Sequence, residues 1–309
     1  MTKQQALITT SLETVLSTDK LTKYFGKLCA VNRLDLEVKR GQVFGMLGPN
    51  GSGKTTTLGM LMGVTNPTSG GFAWFGEPAT HLTRKKIGAV LEHPIFYPYL
   101  SGQKNLELNA MIKGADPANI PKVLEIVELT ARKDHNYKTY SLGMKQRLAI
   151  ASALVSDPII LILDEPTNGL DPMGIAEIRE IIKRIAADGK TIILASHLLD
   201  EVQKVCTHFA ILRRGTLVHS GPVDDVGRGE ETVEVIAFHD DLNHILHEFR
   251  GSLSVKPENG KFQVRMRDGF HSLDLNKFLF EKGIVASHIV TQKKSLEKQF
   301  LEILQETQK

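Results

Sequence analysis

The sequence predicts an α/β domain built on a parallel sheet, carrying an antiparallel β subdomain and a helical subdomain, and followed by a smaller α+β domain. Three observations carry that reading. The apolar run Val43-Phe44-Gly45-Met46-Leu47 breaks into Gly48-Pro49-Asn50-Gly51-Ser52-Gly53-Lys54-Thr55-Thr56, a strand passing through glycines into a helix. The all-apolar run from Ile159 to Leu163 and the run from Thr191 to Leu194 enclose a helix with Ile175, Ile178, Ile181, Ile182 and Ile185 on one face. That is the strand-helix-strand crossover of parallel sheets. Beyond residue 230 the order becomes strand, helix, two strands, helix, strand, the split arrangement of ferredoxin-like domains.

Taken in order, the chain opens on a polar stretch, 1–13, with no apolar leader core and no arginine-rich amphipathic pattern, so a cytoplasmic protein is expected. Short strands at Thr14 to Asp19 and Leu34 to Val38 form an antiparallel pair leading into the Val43 to Leu47 strand, with a loop at residues 23–27 and a turn at residues 39–42. In that loop Tyr24 or Phe25 could stack on a nucleobase or be an ordinary half-buried aromatic. Gly48, four residues, then Gly53-Lys54-Thr55 is the P-loop spacing. Glycines let successive N–H groups curl around phosphate oxygens, and the helix opening at Lys54 aims its positive dipole end at the same anion. Lys54 is expected to reach β- and γ-phosphates, and Thr55 to place its hydroxyl on Mg²⁺.

A turn at residues 66–71 precedes a strand from Phe72 to Phe75, and a buried strand from Ile87 to Leu91 ends on Glu92-His93-Pro94. The aromatic stretch Ile95 to Leu100 and helices from Ser101 to Gly114 and Pro117 to Leu129 open a helical block, about 95–155. Tyr140-Ser141-Leu142-Gly143-Met144 leads into a further helix. By itself it reads as a serine N-cap. The strand from Ile159 ends on Asp164-Glu165, at the carboxyl edge where open α/β sheets bind ligands. Neighbouring strand residues face opposite ways, so Asp164 is assigned to the Mg²⁺ shell and Glu165 to an attacking water. Another strand ends on Ala195-Ser196-His197 and delivers His197 to the same edge. A hairpin from Phe209 to Ser220 closes the first domain, 14–221. A linker, 222–230, leads to the second domain, 231–309, whose final helix from Ser295 carries Leu296, Phe300, Leu301 and Leu304 on one apolar face.

The 309 residues bury a real core, and the 24% charged, 41% hydrophobic composition is that of an ordinary globular protein. A net charge of +3 gives no argument for nucleic acid but tolerates an anionic membrane surface. The longest apolar runs fall far short of the roughly 20 residues that span a bilayer. Cys29 and Cys206, far apart, suggest neither a disulfide framework nor a zinc site.

Together these stretches resemble the nucleotide-binding subunit of an ATP-binding cassette (ABC) transporter, of the ABC-2 exporter type that includes antibiotic, bacitracin and lantibiotic self-resistance proteins. The likeness covers about Thr14 to Gly221, and Ser295 to Leu301 resembles the family's closing C-terminal motif. It implies that Phe25 stacks on adenine, that Gly48 to Thr55 is the Walker A motif, and that Leu163-Asp164-Glu165 ends Walker B. It also implies that Asn168-Gly169-Leu170-Asp171 is the D-loop and His197 the switch histidine. Tyr140 to Met144 stands at the ABC signature, departing from its common wording but keeping Ser141 and Gly143. Glu92 takes the Q-loop position, where glutamine is usual, and is expected to keep a metal and coupling role.

The resemblance further implies ATP and Mg²⁺ as ligands and a head-to-tail homodimer in which Ser141 and Gly143 close over ATP on the partner. It implies a peripheral place for the chain on the cytoplasmic side of the cell membrane, with a separate multi-span permease docked around Glu92 to Leu100, where Phe96, Tyr97 and Tyr99 lie. Nucleic acid is not expected as a partner. A soluble ABC ATPase acting on a non-membrane partner is the alternative, but such families usually carry paired cassettes or long coiled-coil insertions, and the sequence contains neither.

Overall fold

The computed structural model describes residues 13–91, 95–225, 231–258 and 260–292. Glu92 and the helix expected from Ser295 lie outside them. The chain divides into two compact units, Met1–Gly221 and Pro222–Lys309.

The first unit starts with an antiparallel sheet. Strands β1 (Thr14–Phe25), β2 (Leu28–Leu34) and β3 (Glu37–Lys39) lead into β4 (Val43–Leu47), and the P-loop then enters α1 (Lys54–Leu61). After β5 (Ser69–Trp74), β6 (Glu77–Pro78), the one-turn α2 (His81–Arg84) and β7 (Ile87–Val90) come α3 (Gly102–Lys113), α4 (Asn119–Ile126) and α5 (Leu142–Leu154). The sheet then resumes through β8 (Ile160–Asp164), α6 (Pro172–Ala187), β9 (Thr191–Ser196), α7 (Leu199–Val205), β10 (His208–Arg213) and β11 (Thr216–Pro222).

Residues 23–25, expected in a loop, belong to β1, whose strand serves three partners. Its first half pairs with β3 and β5 (Leu16↔Val38, Ser17↔Ala73), and beyond Leu21 it pairs with β2, ending on Phe25↔Leu28. Irregularities interrupt each of these registers, and Lys20 has φ 45°. A bulge breaks the two-residue alternation by which a strand is recognised, which is why the second half reads as loop. Helix α5 begins at Leu142, directly after Ser141, and α7 has no counterpart in the sequence reading.

The second sheet runs β11-β10-β4-β9-β8-β7, with parallel pairing from β10 through β7. Strands β4, β8 and β9 are buried at every position. A strand covered on both faces reads as a continuous apolar run, so these three were legible. Phe44, Met46, Ile162 and Ile193 pack with Leu58 and Met60 of α1 and with Trp74 of β5 in one core. The indole N–H of Trp74 donates to the carbonyl of Leu61 at 3.2 Å, ending α1 against the antiparallel sheet.

The second unit comprises β12 (Thr232–Ala237), α8 (Leu242–Glu248), β13 (Ser252–Glu258), β14 (Lys261–Met266), α9 (Ser272–Glu281) and β15 (Ala286–Gln292). Its strands lie in the order β13-β14-β12-β15, all antiparallel, the ferredoxin-like arrangement. Val233, Val235 and Val264 meet Leu246, Leu275 and Leu279 of the two helices in its core.

Candidate functional site

Three neighbouring parallel strands end level with one another. Leu47 is in register with Ser196, and Asp164 with Ala195, so the residues that follow emerge at one edge. The backbone locks this edge: Gly48 N–H donates to the Ser196 carbonyl at 3.3 Å, and Glu165 N–H to the Ala195 carbonyl at 3.0 Å. The P-loop, Glu165 and His197 are brought together there, where open parallel sheets place ligands.

The loop needs its glycines for close approach. A Cβ on Gly48 would lie 2.3 Å from the Leu212 carbonyl oxygen. Gly53 has φ 102°, and its Cβ would lie 2.5 Å from the Ala30 carbonyl oxygen, so β2 packs directly against the phosphate-binding turn. A groove over the helix start is lined by Asn50, Gly51, Ser52, Gly53, Lys54, Thr55, Thr56 and Glu165. Thr55 is exposed, whereas the buried Ser52 hydroxyl has no hydrogen-bond partner among the described residues. An orphaned hydroxyl within a glycine cradle at a helix N-terminus fits a polyphosphate.

Lys54 is only 5% exposed. Its ammonium donates to the carbonyls of Gly48 at 2.7 Å and Pro49 at 3.3 Å, and lies 3.2 Å from Glu165 Oε1. The other carboxylate oxygen of Glu165 is 2.7 Å from His197 Nδ1. Glu165 therefore links lysine and histidine, and it does so from a left-handed backbone, φ 48°. Asp164, one residue earlier, is 4% exposed at the end of β8. Among the described residues no three acidic, histidine or cysteine side chains converge to hold a metal alone. Oxygen donors such as Thr55 and Asp164 suit Mg²⁺ when phosphate oxygens complete its shell.

The remaining candidates lie outside the residues lining this groove. Phe25, 52% exposed, ends β1 with the Lys23 ammonium 5.0 Å from its ring centroid. Ser141 caps α5, its hydroxyl accepting from Met144 N–H at 3.2 Å, and Asp171 caps α6, accepting from Gly174 N–H at 2.9 Å. A Cβ on Gly143 would meet Leu170 at 4.0 Å, and one on Gly169 would meet Leu142 at 3.3 Å. The structure thus places the signature-like segment beside the 168–171 turn.

In the aromatic stretch Ile95, Tyr97 and Tyr99 are exposed, while Phe96 turns inward onto Tyr137, with ring centroids 5.1 Å apart. Asn105 clasps the stretch, accepting from Tyr97 N–H at 2.8 Å and donating to its carbonyl at 3.1 Å. Sequence reasoning passed over Asn105 and Glu201. Glu201, in the first turn of α7, resembles an ordinary acid at a helix start, yet it is 5% exposed and accepts the Thr167 and Ser196 hydroxyls.

The ABC transporter family profile matches residues 31–168. The bacitracin transport ATP-binding protein BcrA of Bacillus licheniformis is 36% identical over 306 residues, covering 95% of this chain and 98% of its own. The lantibiotic transport ATP-binding protein SrtF of Streptococcus pyogenes is 36% identical over 220 residues, 71% of this chain and 94% of its own. The structure of cbiO1 from Clostridium perfringens, part of the ABC transporter complex cbiONQ, aligns with a TM-score of 0.64 at 29% identity. It covers 69% of this chain and 90% of cbiO1.

Proposed function

Since the chain belongs to the ATP-binding proteins of ABC transporters, we propose that it hydrolyses ATP to drive export of a drug, peptide or lipid-like substrate through a separate multi-span membrane subunit. The observation that carries the chemistry is the contact chain from Lys54 through Glu165 to His197 at the mouth of the P-loop. Relatives named for bacitracin and lantibiotic transport support the exporter class, BcrA aligning over nearly its full length. Among the described residues no helix is long and apolar enough to cross a membrane, which fits a transport path on another chain.

The proposed chemistry uses this geometry. The P-loop N–H groups and Lys54 bind the β- and γ-phosphates, with the α1 dipole adding to the field. Thr55 and Asp164 would hold Mg²⁺, which supplies neutralisation of the phosphate charge. Glu165 polarises the attacking water, and His197, hydrogen-bonded to it, reaches the γ-phosphate. Glu165 lies 3.2 Å from the Lys54 ammonium, which sets the water-polarising carboxylate beside the group that binds the γ-phosphate. Phe25 stacks on adenine from the hairpin that β2 holds against Gly53. Ser141, Gly143 and Asp171, outside the groove, act on nucleotide held by a second copy, and Tyr97 and Tyr99 offer the permease an exposed docking face.

Glu165→Gln tests the central assignment. It is expected to bind ATP with near-native affinity while turnover falls by about 10²-fold or more, the scale of a lost general base. Native-rate turnover by this variant would remove Glu165 from the role. Purification from detergent-solubilised membranes should bring a multi-span subunit with the protein, and recovery of the chain alone would count against transport.

A further inference from the structure

Glu165 and His197 sit on different strand ends, and their 2.7 Å contact depends on the two backbones keeping station. Glu165 is held at φ 48°. A left-handed conformation is strained for a residue with a side chain and persists only where its surroundings over-determine it. Part of the restraint is visible: Glu165 N–H bonds to the Ala195 carbonyl, and Asn168 N–H bonds to the Glu165 carbonyl at 3.1 Å.

The rest comes from behind the site. Two residues after Glu165, the Thr167 hydroxyl donates to Glu201 Oε2 at 2.6 Å. One residue before His197, the Ser196 hydroxyl donates to the same oxygen at 3.2 Å, and Ser196 Oγ also accepts Leu198 N–H at 3.0 Å. All three side chains are buried, with Thr167 7%, Ser196 1% and Glu201 5% exposed. A single carboxyl oxygen on α7 thus joins the turn carrying Glu165 to the strand end carrying His197. Glu201 is not among the residues lining the P-loop groove.

We infer that Glu201 is a positioning residue for the hydrolysis proposed above: its Oε2 clamps Thr167 and Ser196 so that Glu165 and His197 stay within hydrogen-bonding reach of one another. The inference rests on that proposed reading of the site. The carboxyl acts by geometry, and its contribution is the two buried hydroxyl bonds. Nucleotide binding belongs to the P-loop and is unaffected. What weakens when the clamp is lost is the alignment of the water-polarising pair, and a displacement of about 1 Å there is worth about 10²-fold in rate.

The test uses the full chain with four variants, measuring kcat for ATP and, separately, equilibrium affinity for a fluorescent ATP analogue. Glu201→Leu, of similar size but without acceptors, is expected to lower kcat by about tenfold or more while affinity stays within about twofold. Glu201→Gln keeps an oxygen able to accept both hydroxyls and is expected to restore most of the native kcat. Thr167→Val removes one hydroxyl at constant shape, remains soluble where Glu201→Leu does not fold, and is expected to lower kcat several-fold.

Native kcat in Thr167→Val would overturn the inference, as would equal losses in Glu201→Gln and Glu201→Leu. Failure of the underlying reading is separable. Glu165→Gln, run in parallel, lowers turnover by about 10²-fold or more if hydrolysis works as proposed, whatever Glu201 does; if it turns over normally, the reading of the site fails rather than the clamp.

Discussion

Lys54 is a buried cation, 5% exposed. Two loop carbonyls and Glu165 surround its ammonium, and removing such a cation removes a charge-assisted bond to phosphate worth about 1.5–3 kcal/mol. Lys54→Ala should therefore weaken ATP binding by about tenfold or more by fluorescence titration, and unchanged affinity would exclude Lys54 from phosphate recognition. Cys206 is buried as well, 7% exposed. Burial, and secondarily the negative field of Glu201, push its thiol up from 9.0 to about 12. A group whose folded pKa is raised contributes stability that is complete below its unfolded value and is lost as pH climbs towards the folded one. Folding stability should thus fall between pH 9 and 12 by up to about 1.4 kcal/mol per pH unit more steeply in the native chain than in Cys206→Ala. Urea denaturation at pH 8.5 and 10.5 measures this, and equal slopes in the two proteins would count against it.

At the scale of elements, the P-loop depends on its neighbour. The Ala30 carbonyl of β2 lies where a Gly53 side chain would be, and Gly53 already holds φ 102°. Gly53→Ala should lower stability by about 2–4 kcal/mol, combining backbone strain with a displaced strand. It should also abolish nucleotide binding; a melting temperature within one or two degrees of native would show that β2 gives way cheaply. The same elements show what sequence can reveal. Strands β4, β8 and β9 were legible because burial on both faces leaves apolar runs, and the P-loop because its glycines answer a steric demand. Residues 20–25 were illegible because bulges in β1 destroy alternation. Ser141 and Gly143 had meaning only through family likeness, since a serine cap at α5 looks like any other. The aromatic stretch was half legible: Tyr97 and Tyr99 are exposed, but Phe96 packs on Tyr137, a pairing across some forty residues that no local pattern carries. Glu201 was missed for the same reason, its partners Thr167 and Ser196 being assembled only by the sheet.

For the whole molecule, the decisive property is that the P-loop groove and the signature-like surface occupy separate places on one chain. If Ser141 serves a partner's nucleotide, each subunit contributes half of two sites, and closed two-fold symmetry makes the halves equivalent. Defects in the two halves then complement. Lys54→Ala loses its own P-loop but keeps a sound Ser141; Ser141→Arg keeps its P-loop but presents a bulky cation where close approach is needed. Each variant alone should be nearly inactive. In a mixed dimer one site combines the sound P-loop of the second with the sound signature of the first, while the other site carries both defects. Random re-association at equal concentrations should therefore restore about a quarter of the native ATPase rate, half the dimers being mixed and half of their sites intact. A chain that completes its own site would show no recovery, because every subunit in the mixture carries a disabling change. Size-exclusion chromatography of Glu165→Gln with ATP supplies the physical counterpart: the nucleotide glues two half-sites together only if both faces belong to it, so the dimer should appear with ATP and dissociate with ADP.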